Sequence, residues 1–246
     1  MQAANVLFCR QGAKVHALLN RQKDQTRNIV SVTVQEMWFI AFNSCQDRTQ
    51  LTEMCMIDQF IEYLRLFRDI PPADIDMITA AVEYRHVQQG TVLQQEGKIV
   101  RQIFFICKGV LRIVALNDKA VPVTYFFLKE NQFCTILNSF NNNVPAAEGI
   151  EAACEASVIV LTKNALLGLY NTIPYLQQLI NRIMQQALLD KIQLRNAYFN
   201  EDATTRYRQF LMRQPDIALR VSLGDIASYL GITQQSLSRI RRNTRF

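Results

Sequence analysis

The stretch from Thr233 to Arg242 holds the side chains best suited to chemistry. Thr233, Gln234, Gln235, Ser236, Ser238, Arg239, Arg241 and Arg242 crowd together there with no acidic residue among them. If the stretch is helical, Leu237 and Ile240 fall on one face at i, i+3 spacing and the polar residues radiate from the other. Arg239 can bind guanine O6 and N7 with both arms of its guanidinium. Gln234 and Gln235 can each pair with adenine N6 and N7. Thr233, Ser236, Ser238, Arg241 and Arg242 suit phosphate oxygens, together with the amides at a helix N-terminus. This is chemistry of recognition, with double-stranded DNA as the partner.

Bond-making chemistry finds little support. His16 and His86 are the only histidines. No phosphate-cradling glycine loop, nucleophile elbow or clustered acid pair is present, so no enzyme and no cofactor are expected. The six cysteines (Cys9, Cys45, Cys55, Cys107, Cys134, Cys154) form no CxxC pair. They predict neither a zinc site nor an iron–sulfur cluster, and read as reduced cytoplasmic thiols that behave as small hydrophobes. No run approaches the roughly 18 apolar residues of a membrane span, and no secretory leader pattern opens the chain. A net charge of +6 agrees with a polyanionic partner without demanding one.

The polar helix needs something to hold it. Ile226, Ala227 and Leu230 give a preceding short helix its apolar face. Gly231 permits a left-handed turn, Ile232 fills the angle, and Thr233 caps the second helix, which together make a helix-turn-helix. Before it, a helix from Glu201 to Arg213 carries Phe210 and Leu211 and stops at Pro215. A long helix from about Pro174 to Asn196 has an apolar stripe of Leu176, Leu179, Ile180, Ile183, Ala187 and Leu194. It is too long for a small sandwich to cover, so it predicts packing against a second copy, a homodimer. Lys163 to Tyr170 reads as a short helix. Short strands are predicted at Glu83–Val87, Thr91–Gln94, Ile103–Cys107, Val110–Ala115, Val121–Leu128, Ile150–Cys154 and Ala156–Thr162, with Cys134 to Ala147 irregular between them. Helices are predicted from Ile57 to Phe67 and from Pro72 through Val82. Residues before Glu53 show no sustained period beyond one isolated strand at Val30 to Val34. They read as an extension of doubtful order, or as lying upstream of a start at Met54 or Met56.

Small helices, a β-roll, a long helix and a helix-turn-helix, in that order, resemble the Crp/Fnr-type (catabolite-activator) regulators of bacterial transcription. Ile226-Ala-Ser-Tyr-Leu-Gly-Ile-Thr-Gln-Gln-Ser-Leu-Ser-Arg-Ile-Arg241 carries most of the likeness. Gly90-Thr-Val-Leu-Gln-Gln-Glu-Gly97 and Ile103-Phe-Phe-Ile-Cys-Lys-Gly109 add to it. The resemblance implies an α+β chain: an extension (1–55), a cyclic-nucleotide-binding-like jelly roll with flanking helices (56–172), a dimerisation helix (173–198) and a helix-turn-helix domain (199–246). It also implies RNA polymerase as a further partner. The connection from Arg213 to Ser222 looks short for the family's β-hairpin wing.

Cyclic-nucleotide-binding members of that family hold the ligand with a Phe-Gly-Glu-Leu pattern and a following Pro-Arg-(Ser/Thr)-Ala pattern. Here the corresponding residues are Phe133-Cys-Thr135-Ile136-Leu and Pro145-Ala146-Ala-Glu148. Thr135 stands where a glutamate accepts the ribose hydroxyl, and Ala146 where an arginine neutralises the phosphate. Losing that arginine forfeits about 1.5–3 kcal/mol of charge-assisted hydrogen bonding. The expectation is a degenerate pocket that does not bind cyclic AMP, with another effector or none. The competing reading is a ligand-binding or protein-interaction module whose helix-turn-helix is only a scaffold. The basic, acid-free outer face favours DNA.

Overall fold

The first element, α1, runs from Val34 to Arg65 in the computed structural model, well upstream of the expected start at Ile57. The structure describes residues 34–117, 121–198 and 201–243, with side chains from residue 50 onward. No proline or glycine interrupts positions 34–56, so nothing stops the helix there. Val34 is therefore helical and not part of a strand; Val30 to Thr33 lie outside the described residues. From Leu51 onward the chain forms one unit. In it, Phe60, Ile61 and Leu64 of α1 are buried. Pro71 and Pro72 open α2 (Pro72–Ala80), with Pro72 at the position where its missing N–H costs nothing; the helix stops short of the expected Val82.

Eight strands follow in two antiparallel four-stranded sheets, ordered β1-β8-β3-β6 and β2-β7-β4-β5. Their spans are β1 (Glu83–Val87), β2 (Val92–Gln94), β3 (Gln102–Lys108), β4 (Leu111–Leu116), β5 (Pro122–Leu128), β6 (Phe133–Cys134), β7 (Gly149–Ala152) and β8 (Ala156–Thr162). Ile103 to Cys107 of β3 are buried without alternation because both faces of that strand are covered. One face meets the opposing sheet. The other lies under α1, where Phe105 packs against Phe60 with ring centroids 5.1 Å apart and against Phe133 at 5.3 Å. Gly109 turns β3 into β4 at φ 94°, and a β-carbon there would stand 2.4 Å from the Glu155 carbonyl, so only glycine fits.

Two short elements occupy the segment expected to be irregular. β6 exists by pairing Cys134 with Phe104 and Phe133 with Phe105. The helix α3 (Leu137–Asn142) ends where Asn143 takes a left-handed conformation at φ 55°. After the roll come α4 (Lys163–Thr172), capped by the Thr162 hydroxyl, and the long helix α5 (Leu176–Asn196). The C-terminal module contains α6 (Ala203–Arg213), α7 (Pro215–Ala218), α8 (Leu223–Tyr229) and α9 (Gln234–Asn243). The connection after Arg213 holds the short helix α7, which the sequence did not suggest; among the described residues no strand follows β8. No helix among the described residues is long and apolar enough to cross a membrane.

Candidate nucleic-acid interface

Each part of the helix-turn-helix rests on a local interaction. The Ser222 hydroxyl caps α8 by accepting the Asp225 amide at 3.1 Å. Ile226, Ala227 and Leu230 are buried at 1–3% exposure. Gly231 makes the turn at φ 66°, and the Ile232 amide donates to the Ala227 carbonyl at 3.0 Å. The Thr233 hydroxyl caps α9 by accepting the Ser236 amide at 3.1 Å and donating to the Ser236 hydroxyl at 2.9 Å. Leu237 is fully buried and Ile240 packs partly beneath it. The face away from them exposes Thr233, Gln234, Gln235, Ser238, Arg239, Arg241 and Arg242, while Ser236 is half-buried. The expected recognition residues thus share one acid-free surface, with the N-terminus of α9 at one end and the arginines of its last turn at the other.

How firmly this module seats on the roll was not legible from residue spacing. Val110, Phe127 and Ala153 of the roll belong to the same apolar cluster as Tyr207, Phe210, Ile217, Ile226, Ala227, Leu230 and Leu237. Phe127, Phe210 and Tyr229 form an aromatic triangle with centroids 5.1–6.3 Å apart. Polar contacts ring it. Arg112 on β4 donates to Glu151 at 2.7 Å and pairs with Asp225 in the first turn of α8. The Thr124 amide donates to the Ser228 hydroxyl at 2.9 Å, and Lys129 pairs with Asp216 at 2.8 Å. Glu130 accepts from Arg220 at 3.0 Å and from the Gly109 amide at 2.7 Å. Burial alone would raise the Glu130 carboxyl, but these bonds outweigh it and hold the group below its ordinary range.

The segment expected to form the effector pocket lies largely within the core. Phe133, Ile136 and Ala146 belong to the main buried cluster, at 3%, 7% and 4% exposure. The Thr135 hydroxyl donates to the Gln102 carbonyl at 3.1 Å. Ser139, which the sequence did not single out, accepts the Val100 amide at 2.9 Å and donates to the Val144 carbonyl at 2.5 Å. Pro145 is exposed and bridges to Ile99. Ala146 exchanges backbone bonds with Lys98 and Gly97 at 3.1 and 2.8 Å. The hydroxyls and amides of this loop are committed to one another. Elsewhere, burial pushes the Cys107 and Cys134 thiols up to about 12, which keeps them protonated. Among the described residues no group of three His, Cys, Asp or Glu could hold a metal ion.

Comparison with known proteins matches this geometry. Residues 84–172 fit the family model of the cyclic nucleotide-binding domain. A solved structure from Eubacterium rectale, described as a transcriptional regulator of the Crp/Fnr family, is similar over 74% of this chain and 87% of its own, at 19% identity and TM-score 0.59. The fold is that of the Crp/Fnr regulators. FixK2 of Bradyrhizobium japonicum matches over 66% of this chain and 83% of its own, at 15% identity and TM-score 0.57. CLP of Xanthomonas campestris, a c-di-GMP responsive global regulator, matches over 70% and 91%, at 15% identity and TM-score 0.56. No curated protein matches the chain. The Crp/Fnr resemblance drawn from the order of elements therefore holds, as does the mixed architecture of β-roll followed by helices.

Proposed function

We propose that the chain is a dimeric, sequence-specific DNA-binding transcription regulator of Crp/Fnr type, acting in the cytoplasm, whose roll does not respond to cyclic AMP. The outer face of α9 carries this reading: amides, hydroxyls and guanidiniums, exposed except for the half-buried Ser236, over a buried Leu237, with no carboxylate among them. Arg239 and the two glutamines read base edges; Arg241, Arg242 and the capped N-terminus of the helix hold phosphates. Dimerisation is supported by Leu188, Leu189 and Ile192 of α5, apolar side chains that remain about half exposed. A second copy would cover them and place two reading helices on one duplex. Loss of cyclic AMP control is supported by Ala146, a buried methyl at the position where the family places its phosphate-binding arginine.

The test is equilibrium binding by fluorescence anisotropy to DNA fragments selected from a random library and to unselected controls, across a salt series. The expected result is tighter binding to selected sites and a log affinity that falls linearly with log salt. Equal affinity for both pools would leave only a scaffold role for the helix-turn-helix. Calorimetry with cyclic AMP is expected to show no micromolar affinity, and light scattering to give a dimer.

A further inference from the structure

From Ser222 to Asn243 the helix-turn-helix carries a single acidic side chain, Asp225, in the first turn of α8. There it suits the helix, whose N-terminal end favours negative charge. It does not suit DNA. The first helix of such a motif crosses the phosphate backbone. Asp225 also adjoins the reading surface, since a β-carbon on its neighbour Gly224 would stand 4.0 Å from Oε1 of Gln234, the first residue of α9. The Asp225 side chain is only 16% exposed, so water and salt screen its charge poorly.

The counter-charge comes from the roll. Arg112 on β4 stands opposite Glu151 on β7 in register. Its Nε and Nη2 donate to Glu151 at 3.2 and 2.7 Å, which fixes the plane of the guanidinium. Nη1 is left for Asp225 and, at 3.4 Å, for the Thr124 hydroxyl. Ser228, three residues after Asp225, accepts the Thr124 amide at 2.9 Å, so the same face of α8 is pinned beside the pair. The ion pairs of Lys129 with Asp216 and of Glu130 with Arg220 also cross this boundary, but Asp216 and Arg220 precede the motif.

We propose that Arg112 is a positioning residue for DNA binding: a cation supplied by the roll that neutralises the one carboxylate of the helix-turn-helix and keeps it from repelling phosphate. The proposal rests on the DNA-reading function proposed above. Arg112 acts through Asp225, 113 positions away, and not by touching DNA. With Arg112 gone, Asp225 and Glu151 are left as two carboxylates without their shared partner, beside the helix that the backbone must cross.

The test is fluorescence anisotropy of the full chain on selected and unselected DNA across a salt series, with thermal melts to fix the folded fraction of each variant. Arg112→Met is expected to bind selected DNA roughly three- to tenfold more weakly at low salt. The deficit should shrink above about 0.1 M salt, where the Debye length falls below about 10 Å. Asp225→Asn should bind at least as tightly as wild type. Combining it with Arg112→Met should bring affinity back to within about twofold, because the local net charge is then that of wild type. Lys129→Met takes a charge of the same sign from the same boundary but outside the motif, and should change affinity less than about twofold. Should Arg112→Met not fold, Asp225→Asn decides, since a purely structural bond would make it bind more weakly. Selective wild-type binding with undiminished affinity in Arg112→Met would overturn this proposal alone, as would weaker binding in Asp225→Asn or an equal loss in Lys129→Met. Equal wild-type affinity for both DNA pools would instead overturn the DNA-reading function, and this proposal with it.

Discussion

The outer face of α9 and the segment from Phe133 to Ala146 are both places where this fold can meet something outside the protein, yet they are built in opposite ways. On α9, the buried Leu237 and the partly buried Ile240 hold the helix, Thr233 and Ser236 bond each other at its cap, and Gln234, Gln235, Ser238, Arg239, Arg241 and Arg242 are exposed. Around Ala146, the hydroxyls of Thr135 and Ser139 and the amides of Gly97, Val100 and Ala146 bond to neighbouring backbone or side chains, and the apolar residues sit in the core. Polar groups turned outward leave hydrogen-bonding capacity for a ligand, whereas groups already paired inside would have to break bonds before making new ones. The α9 face thus keeps hydrogen-bonding capacity in reserve, and the loop around Ala146 has used its own.

Substitutions can break or sharpen that contrast. The largest effect is expected from Leu237→Ala, which removes a fully buried side chain beneath the reading face and should cost about 2–5 kcal/mol of stability. Denaturant melts would show it, and DNA binding would fall with the folded population. Arg239→Ala touches only the outer face. It should leave the melt unchanged yet lose about 1–3 kcal/mol of affinity at selected sites and relax one base preference. Ala146→Arg restores the family's cation to a closed site. Overpacking alone should cost about 1–3 kcal/mol, with no cyclic AMP affinity regained by calorimetry. Arg242→Ala should lower affinity for all sequences alike and reduce the salt slope by about 1.

The smallest effect concerns the seat between roll and module. The Glu130 carboxyl titrates below its ordinary value of 4.5, so its contribution is complete above that value and is lost as pH falls through the folded one. Glu130→Gln should flatten that acid limb in urea melts while costing less than about 1 kcal/mol near neutrality.

How much of this was legible follows from how local each signal is. Gly231, Thr233 and the spacing of Leu237 and Ile240 encode the helix-turn-helix within a few residues, and the long apolar stripe of α5 does the same. The strands of the roll showed through short β-rich segments separated by turn signals. β6 did not, because two residues become a strand only through partners about 29 positions earlier in sequence, Phe104 and Phe105. α3 was hidden by its composition, since asparagine favours turns over helix interiors. The upstream reach of α1 was missed because positions 34–56 carry no sustained helical period in the sequence. The seat of the C-terminal module escaped because its partners lie far apart in sequence. Arg112 and Asp225 are 113 residues apart, and neither has a neighbour in sequence that betrays the other. The departures from the family's pocket pattern at Thr135 and Ala146 were readable residue by residue, but that the polar groups around them satisfy one another was not.

The aromatic triangle of Phe127, Phe210 and Tyr229 has a consequence for engineering. Because one corner belongs to the roll and two to the C-terminal module, the two parts share a single interior. A chimera that grafts this module onto another roll, or another module onto this roll, would expose one side of that interior to water. Under the proposed DNA-reading role, retargeting is therefore best done by changing the outer surface of α9, leaving the boundary between the two parts intact.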